Sequence, residues 1–222
     1  SSVYAASVLF PTPTLGREYT SLNFTQRSNN SIARSFCFAI ATEDNTVLQV
    51  TLPAGVATET HAAGTTFTQT LNKGEILNLF GNPINSTDGT DMTGVIVKSI
   101  SSGSNSCKPF AFYSGSSKIT IDCAAGSPGS ADNLFQQMFP KVAWGYTYVA
   151  VPTLPQPINY YRILVDNPAT VVKVNGTILS GLVNNTYYEY RNDDASIDVI
   201  TGDKPIMVAQ YMTTNAKCGN PS

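Results

Sequence analysis

The sequence predicts an all-β protein, two similar antiparallel β-sandwich-like lobes joined by a hairpin and one short helix. Short runs in which apolar and polar residues alternate recur along the 222 residues, each closed by Gly, Pro, Asn or Asp. The second half of the chain replays the order of segments found in the first. Only 13% of residues are charged, about half of the usual share, and Ser, Thr, Asn and Gly fill the difference. That balance suits sheets joined by turns.

In chain order, residues 1–20 open with a short apolar strand and a Pro-Thr-Pro segment that no central strand would tolerate. Strands are then expected at Ser21–Phe24, 35–41, 46–52, 66–71, 75–80 and 94–100, with turns at Glu43-Asp44-Asn45 and Asn72-Lys73-Gly74. Residues 107–123 read as a hairpin turning at Ser114-Gly115-Ser116-Ser117, because Phe110, Phe112, Ile119 and Ile121 alternate on either side. Leu134, Phe135, Met138 and Phe139 fall on one helical face, with Ser130 as cap and Pro140 as stop, so a two-turn helix is expected there. The boundaries that follow are 1–128 for the first lobe, 129–145 for the helix and joint, and 146–222 for the second lobe.

The second lobe begins with strand 146–151. Tyr160–Val165, a turn at Asp166-Asn167-Pro168 and Thr170–Val174 match FAIATEDNTVLQV of the first lobe. Thr186–Tyr190 parallels Glu75–Phe80, and Ala195–Ile200 with Lys204-Pro205 and its following strand parallels Val95–Ile100 with Lys108-Pro109. The repeated Lys-Pro favours duplication over chance likeness.

The four cysteines, 37, 107, 123 and 218, contain no CxxC, and a single His61 makes zinc a poor reading. A hairpin at 114–117 would bring Cys107 to Cys123 and leave Cys37 for Cys218. Two disulfides imply an oxidising, extracellular setting; four buried thiols are the alternative. Net charge is −2, which argues against a nucleic-acid partner, and no apolar run is long enough to cross a bilayer. The chain opens without a signal-peptide pattern, as expected of a mature or trimmed piece.

No GxSxG, HExxH or Walker loop occurs, and His61 reads as an exposed loop residue. No cofactor is expected except calcium, for which Asn85, Asp88 and Asp91 (with Asn82) offer oxygens between glycines, though a plain polar loop is the better reading of them. Sequons begin at Asn23, Asn29, Asn85, Asn175 and Asn184. Tyr160, Tyr161, Tyr187, Tyr188 and Tyr190 are the candidate binding residues. Each doublet sends one ring to either face of a strand, and these rings serve either cross-strand packing or a glycan or protein partner.

The segments ATEDNTVLQV, LNKGEILNL, GVIVKSISS to CKPFAFYSGSS, SADNLFQQMFPKVAWG, NYYRILVDNPATVVKVNG and GDKPIMVAQYM together resemble the IgGFc-binding-type N-terminal domain over roughly 20–217. That domain occurs in mucus-associated IgG Fc-binding proteins of animals and in long secreted proteins of gliding and adhesive Bacteroidota. The resemblance implies a non-catalytic extracellular adhesion or recognition module of a larger secreted or cell-surface protein, meeting glycan or protein partners and other domains of its parent chain. A structural spacer and a glycan-active enzyme are the rival readings. Family members often carry Cys after the Ser-Gly turn and in a Cys-Asp-His-Leu run. Here Ser116/Ser117 and Ala131-Asp132-Asn133-Leu134 stand in those places, so that family disulfide is missing.

Overall fold

A computed structural model describes residues 6–103, 106–123, 130–153 and 158–214. The protein is all-β, with 48% of residues in strands and several antiparallel sheets. Its only helical pieces among the described residues are 3-10 turns at Thr12–Thr14 and Lys141–Ala143. The chain divides into two compact units, Ser1–Ile119 with Asp132–Ala143, and Thr120–Ala131 with Trp144–Ser222.

The first unit holds strands β1 (Glu18–Thr20), β2 (Ser35–Ala41), β3 (Thr46–Thr51), β4 (Thr66–Leu71), β5 (Ile76–Phe80), β6 (Ile96–Ser99), β7 (Phe110–Ile119) and β8 (Asp132–Gln137). They form two four-stranded sheets, β1-β6-β3-β4 and β5-β2-β7-β8. Strict alternation in β2 and β3 buries Cys37, Ala39 and Ala41 on one strand and Leu48 and Val50 on the other. Tyr19 of β1 meets Phe110 and Phe112 of β7, with ring centroids 4.9 and 5.6 Å apart, so the two sheets close face to face around these rings. On the other face of the second sheet Phe38, Tyr113 and Phe135 stack in near-parallel contact.

The second unit holds β9 (Gly145–Ala150), β10 (Asn159–Val165), β11 (Val172–Val174), β12 (Thr177–Ile178), β13 (Tyr187–Asn192) and β14 (Asp198–Met212). Five of them run β12-β11-β14-β10-β13, and β9 also pairs β14. The fifteen-residue β14 is irregular between Thr201 and Ile206. Its first half pairs β9 and β11, and its second half pairs β10. Gly202 marks the bend: a Cβ there would lie 2.6 Å from the Lys204 carbonyl oxygen. Both halves feed one core of Ala150, Tyr161, Ile163, Val165, Val172, Tyr188, Ile200 and Ile206.

The duplication is visible in topology and register. In the first unit β6 pairs β1 and β3, β3 pairs β4, and β2 lies between β5 and β7. In the second, the first half of β14 pairs β9 and β11, β11 pairs β12, and β10 lies between β13 and the second half of β14. Local hydrogen bonds repeat as well. The Thr46 hydroxyl donates to the Glu43 carbonyl at 2.7 Å, and the Thr170 hydroxyl to the Asn167 carbonyl at 2.6 Å. The Tyr19 hydroxyl accepts the Gly16 N–H and donates to the Phe110 carbonyl; the Tyr148 hydroxyl accepts the Gly145 N–H and donates to the Ile206 carbonyl. Phe110 and Ile206 each follow a Lys-Pro pair.

Two expectations at the centre of the chain are corrected. The hairpin at 114–117 does not form, because β7 runs straight through it for ten residues. Gly115 serves close approach instead of a turn: a Cβ on it would fall 2.0 Å from the Leu134 carbonyl oxygen of β8. The expected helix over 130–139 is strand β8, paired to β7 from Tyr113↔Gln137 to Ile119↔Asp132. Sheet hydrogen bonds and stacking of Phe135 on Tyr113 outweigh a two-turn helix that is marginal by itself. The lobes are therefore not joined by a hairpin and a helix.

The cysteine pairing changes with them. A continuous β7 separates its ends by about 30 Å at roughly 3.3 Å per residue, far beyond disulfide reach. Cys37 and Cys107 are free thiols, so neither the Cys107–Cys123 nor the Cys37–Cys218 bond is made. Cys123 is disulfide-bonded, and Cys218 lies outside the described residues.

Candidate functional site

The second unit carries an open hollow of about 350 Å³ lined by residues of β11, β13 and the loop into β14. Asp198 sits at its base. Antiparallel pairing of Asp198 with Ala150 turns its carboxylate inward, where it is buried. Three donors hold it: Asn175 Nδ2 at 2.7 Å, Asn192 Nδ2 at 2.8 Å and the Tyr190 hydroxyl at 3.1 Å. Asn175 supplies its amide from the Asn-Gly turn between β11 and β12, with a φ of 48°. Its carbonyl oxygen accepts the Val199 N–H at 2.8 Å, fixing the turn against β14.

The electrostatics are those of a closed network. Burial, with the Asp198 charge beside it, pushes the Tyr190 phenol up; the stacked Tyr161, 5.1 Å away, is raised by burial and Asp198 too. At the rim, Arg191 pairs Asp193 at 2.5 Å. Hydrogen bonds from Ser196 hold the Asp194 carboxyl below its ordinary range. Each of the three carboxylates here is engaged by a neighbouring donor, an arrangement suited to presenting a fixed polar surface. Among the described residues, no three His, Cys, Asp or Glu side chains gather as a metal set.

The tyrosines expected to bind are placed as follows. Tyr161 and Tyr188 belong to the core, and Tyr190 is half-buried beneath the hollow. Tyr187 faces the opposite side, buried under the Arg162 guanidinium at 4.5 Å. Tyr160 is half-buried, and its hydroxyl donates to the Asp122 carbonyl at 3.3 Å. The doublets do split between the two faces, and none of the five rings is exposed.

The oxygens considered for calcium cap turns. Asn85 Oδ1 accepts the Thr87 and Asp88 N–H groups, Asn85 Nδ2 donates to Asp88, and Asp91 Oδ1 accepts from Thr93. His61 stacks on Phe67 with ring centroids 3.6 Å apart and bonds Thr60 through Nδ1. Of the sequon asparagines, Asn23 is buried, its amide spent on Ser35, Phe36 and Gly115. Sequence reasoning passed over Asp198 and Asn192. The signal for Asp198 was a lone carboxylate between Ile197 and Val199 in a strand whose next residue, Ile200, is core.

Compared with known protein families, the chain matches over residues 5–222 the family model described as IgGFc binding protein. No curated protein and no solved structure matches it.

Proposed function

The chain belongs to the IgGFc-binding protein family, and from that premise we propose that it is a non-catalytic extracellular recognition module of a larger secreted or cell-surface protein. The observation that carries this reading is a family match spanning essentially the whole chain. The hollow supports it, because its carboxylates are tied to neighbouring donors and its rim offers hydrogen-bonding groups in fixed positions. A low charged fraction and a surface of hydroxyls and amides suit adhesion to glycan or protein, where contacts are hydrogen-bonded and wet. Among the described residues no helix is long and apolar enough to cross a membrane.

The test is a screen of the whole chain against a glycan array, matrix proteins, intact cells and immunoglobulin Fc. At least one saturable partner is expected, weakened by Asp193→Lys with Asp194→Lys at the rim. Silence across every arm would leave the chain a spacer and overturn the reading.

A further inference from the structure

The duplicated fold supplies its own control for one feature, the treatment of an open sheet edge. In the first unit the edge strand β1 is three residues long, with Tyr19 and Thr20 buried. Its one half-exposed residue, Glu18, is held by Lys141 at 2.9 Å and Lys98 at 3.8 Å. The 3-10 turn at Lys141–Ala143 packs against it, and Pro11 and Pro13 precede it. Short length, charge, proline and cover are the devices by which sheet edges avoid pairing with other chains.

The corresponding strand of the second unit lacks the shortness and the charge, and its nearest proline, Pro152, lies just outside the strand. β9 is six residues long, and the run from Gly145 to Val151 contains no charge and no proline. Its register places Tyr148 opposite Ile200 as Tyr19 lies opposite Val97, so it occupies the same position in the topology. One side is paired to β14. Among the described residues the further hydrogen bonds of this run all involve side chains: the Tyr148 hydroxyl accepts the Gly145 N–H and donates to the Ile206 carbonyl, and Gln210 Nε2 donates to the Val151 carbonyl. Tyr146, on one face of β9, is 57% exposed, and Val149 and Val151 form an apolar surface on the other, 64% and 54% exposed. Val199, opposite Val149, and Ile197 extend this apolar surface across β14, at 42% and 61% exposure.

We propose that β9 is an unprotected edge through which two copies of this chain pair, strand against strand and antiparallel. A strand edge demands another strand, because its outward N–H and C=O groups need a complementary ladder. A second copy of β9 fits on the remaining terms. It is free of charge, so self-pairing sets no like charges opposite one another. Its β-branched and aromatic residues favour extended structure. A two-fold axis through the pair closes the assembly at two, with no further edge of this kind left open. The buried surface is small beside a standard interface of about 1,200–2,000 Å², so association is weak and grows with concentration.

The experiment is sedimentation velocity of the whole chain over a concentration series to about 1 mM, with hydrogen exchange at both ends of the series. A monomer–dimer equilibrium is expected, with amides of 145–151 gaining protection as dimer forms. Val149→Lys sets two lysines into the pairing and should weaken dimerisation about tenfold or more. Ile197→Lys, off the edge, should change it several-fold less. A chain that stays monomeric throughout, or a dimer indifferent to Val149→Lys, or protection arising elsewhere, would overturn the proposal. So would capture of a foreign strand by a chain that never self-associates.

Discussion

Val95 in the first unit and Asp198 in the second hold the same place in the same topology, two residues before the partners of Tyr19 and Tyr148. One is a fully buried valine, the other a buried carboxylate bound by three donors. The first unit fills its interior with apolar contact, Tyr19 against Phe110 and Phe112. The second gives part of its interior to a polar network beneath an open hollow. A repeated strand order thus tolerates opposite chemistry at equivalent positions, provided that each buried polar group finds partners.

The largest effect that can break this comparison comes from exchanging the two chemistries. Asp198→Val gives the second unit the residue of the first and strands the amides of Asn175 and Asn192 and the Tyr190 hydroxyl. A loss of about 3–5 kcal/mol is expected. Trp144, the sole tryptophan, belongs to the second unit and is buried, so urea unfolding followed by its fluorescence reads that loss. An unchanged midpoint would show that the network contributes nothing.

Gly115→Ala acts on the first unit alone. Its added methyl collides with the Leu134 carbonyl, and about 2–3 kcal/mol should be lost as β7 and β8 separate. At the matching place in β14 stands Tyr211, paired to Tyr160 as Gly115 is to Phe36. Far-ultraviolet circular dichroism should shift more than tryptophan fluorescence. Equal shifts in both would mean that the units unfold as one.

The shared tyrosines sharpen the likeness. Tyr19→Phe and Tyr148→Phe each remove one accepted and one donated hydrogen bond, worth about 1–2 kcal/mol at the fully buried Tyr19 and less at the half-buried Tyr148. Burial pushes the Tyr19 phenol from 10.0 up to about 12. Its folded value lies above its unfolded one, so its contribution is whole below pH 10 and is lost as pH rises through 12. Tyr19→Phe should flatten that alkaline loss in a pH-dependent melting series.

Thiol chemistry gives the smallest effect on stability and a sharp readout. Cys107 is half-buried, whereas Cys37 is buried with its thiol pushed up by desolvation. A thiol reagent should label Cys107 in the folded chain and Cys37 only after unfolding. Peptide mapping without reductant should find Cys123 in a disulfide that includes neither Cys37 nor Cys107. A Cys107–Cys123 peptide would restore the hairpin.

The periodicity of residues 35–41 and 46–51 was legible because each strand alternates between buried and half-buried positions. The repeat was legible because turn residues and Lys-Pro recur in order. Residues 107–139 misled because Ser-Gly-Ser-Ser has the chemistry of a turn, and Leu134, Phe135, Met138 and Phe139 have helical spacing. What decided them, the backbone of β8 against Gly115, is a contact between residues about twenty apart. The Asp198 network was hidden for the same reason: Asn175 reaches it from the turn after β11, and Tyr190 and Asn192 reach it from β13.

The central claim, one strand pathway used twice, is tested most directly by cross-strand proton contacts in a solution NMR spectrum. The account predicts matched sets: Tyr19 with Val97 and Tyr148 with Ile200, Leu48 with Ser99 and Val172 with Gly202, Ala41 with Phe110 and Val165 with Ile206. Contacts of only one set, or sequential helical contacts through 130–139, would contradict it.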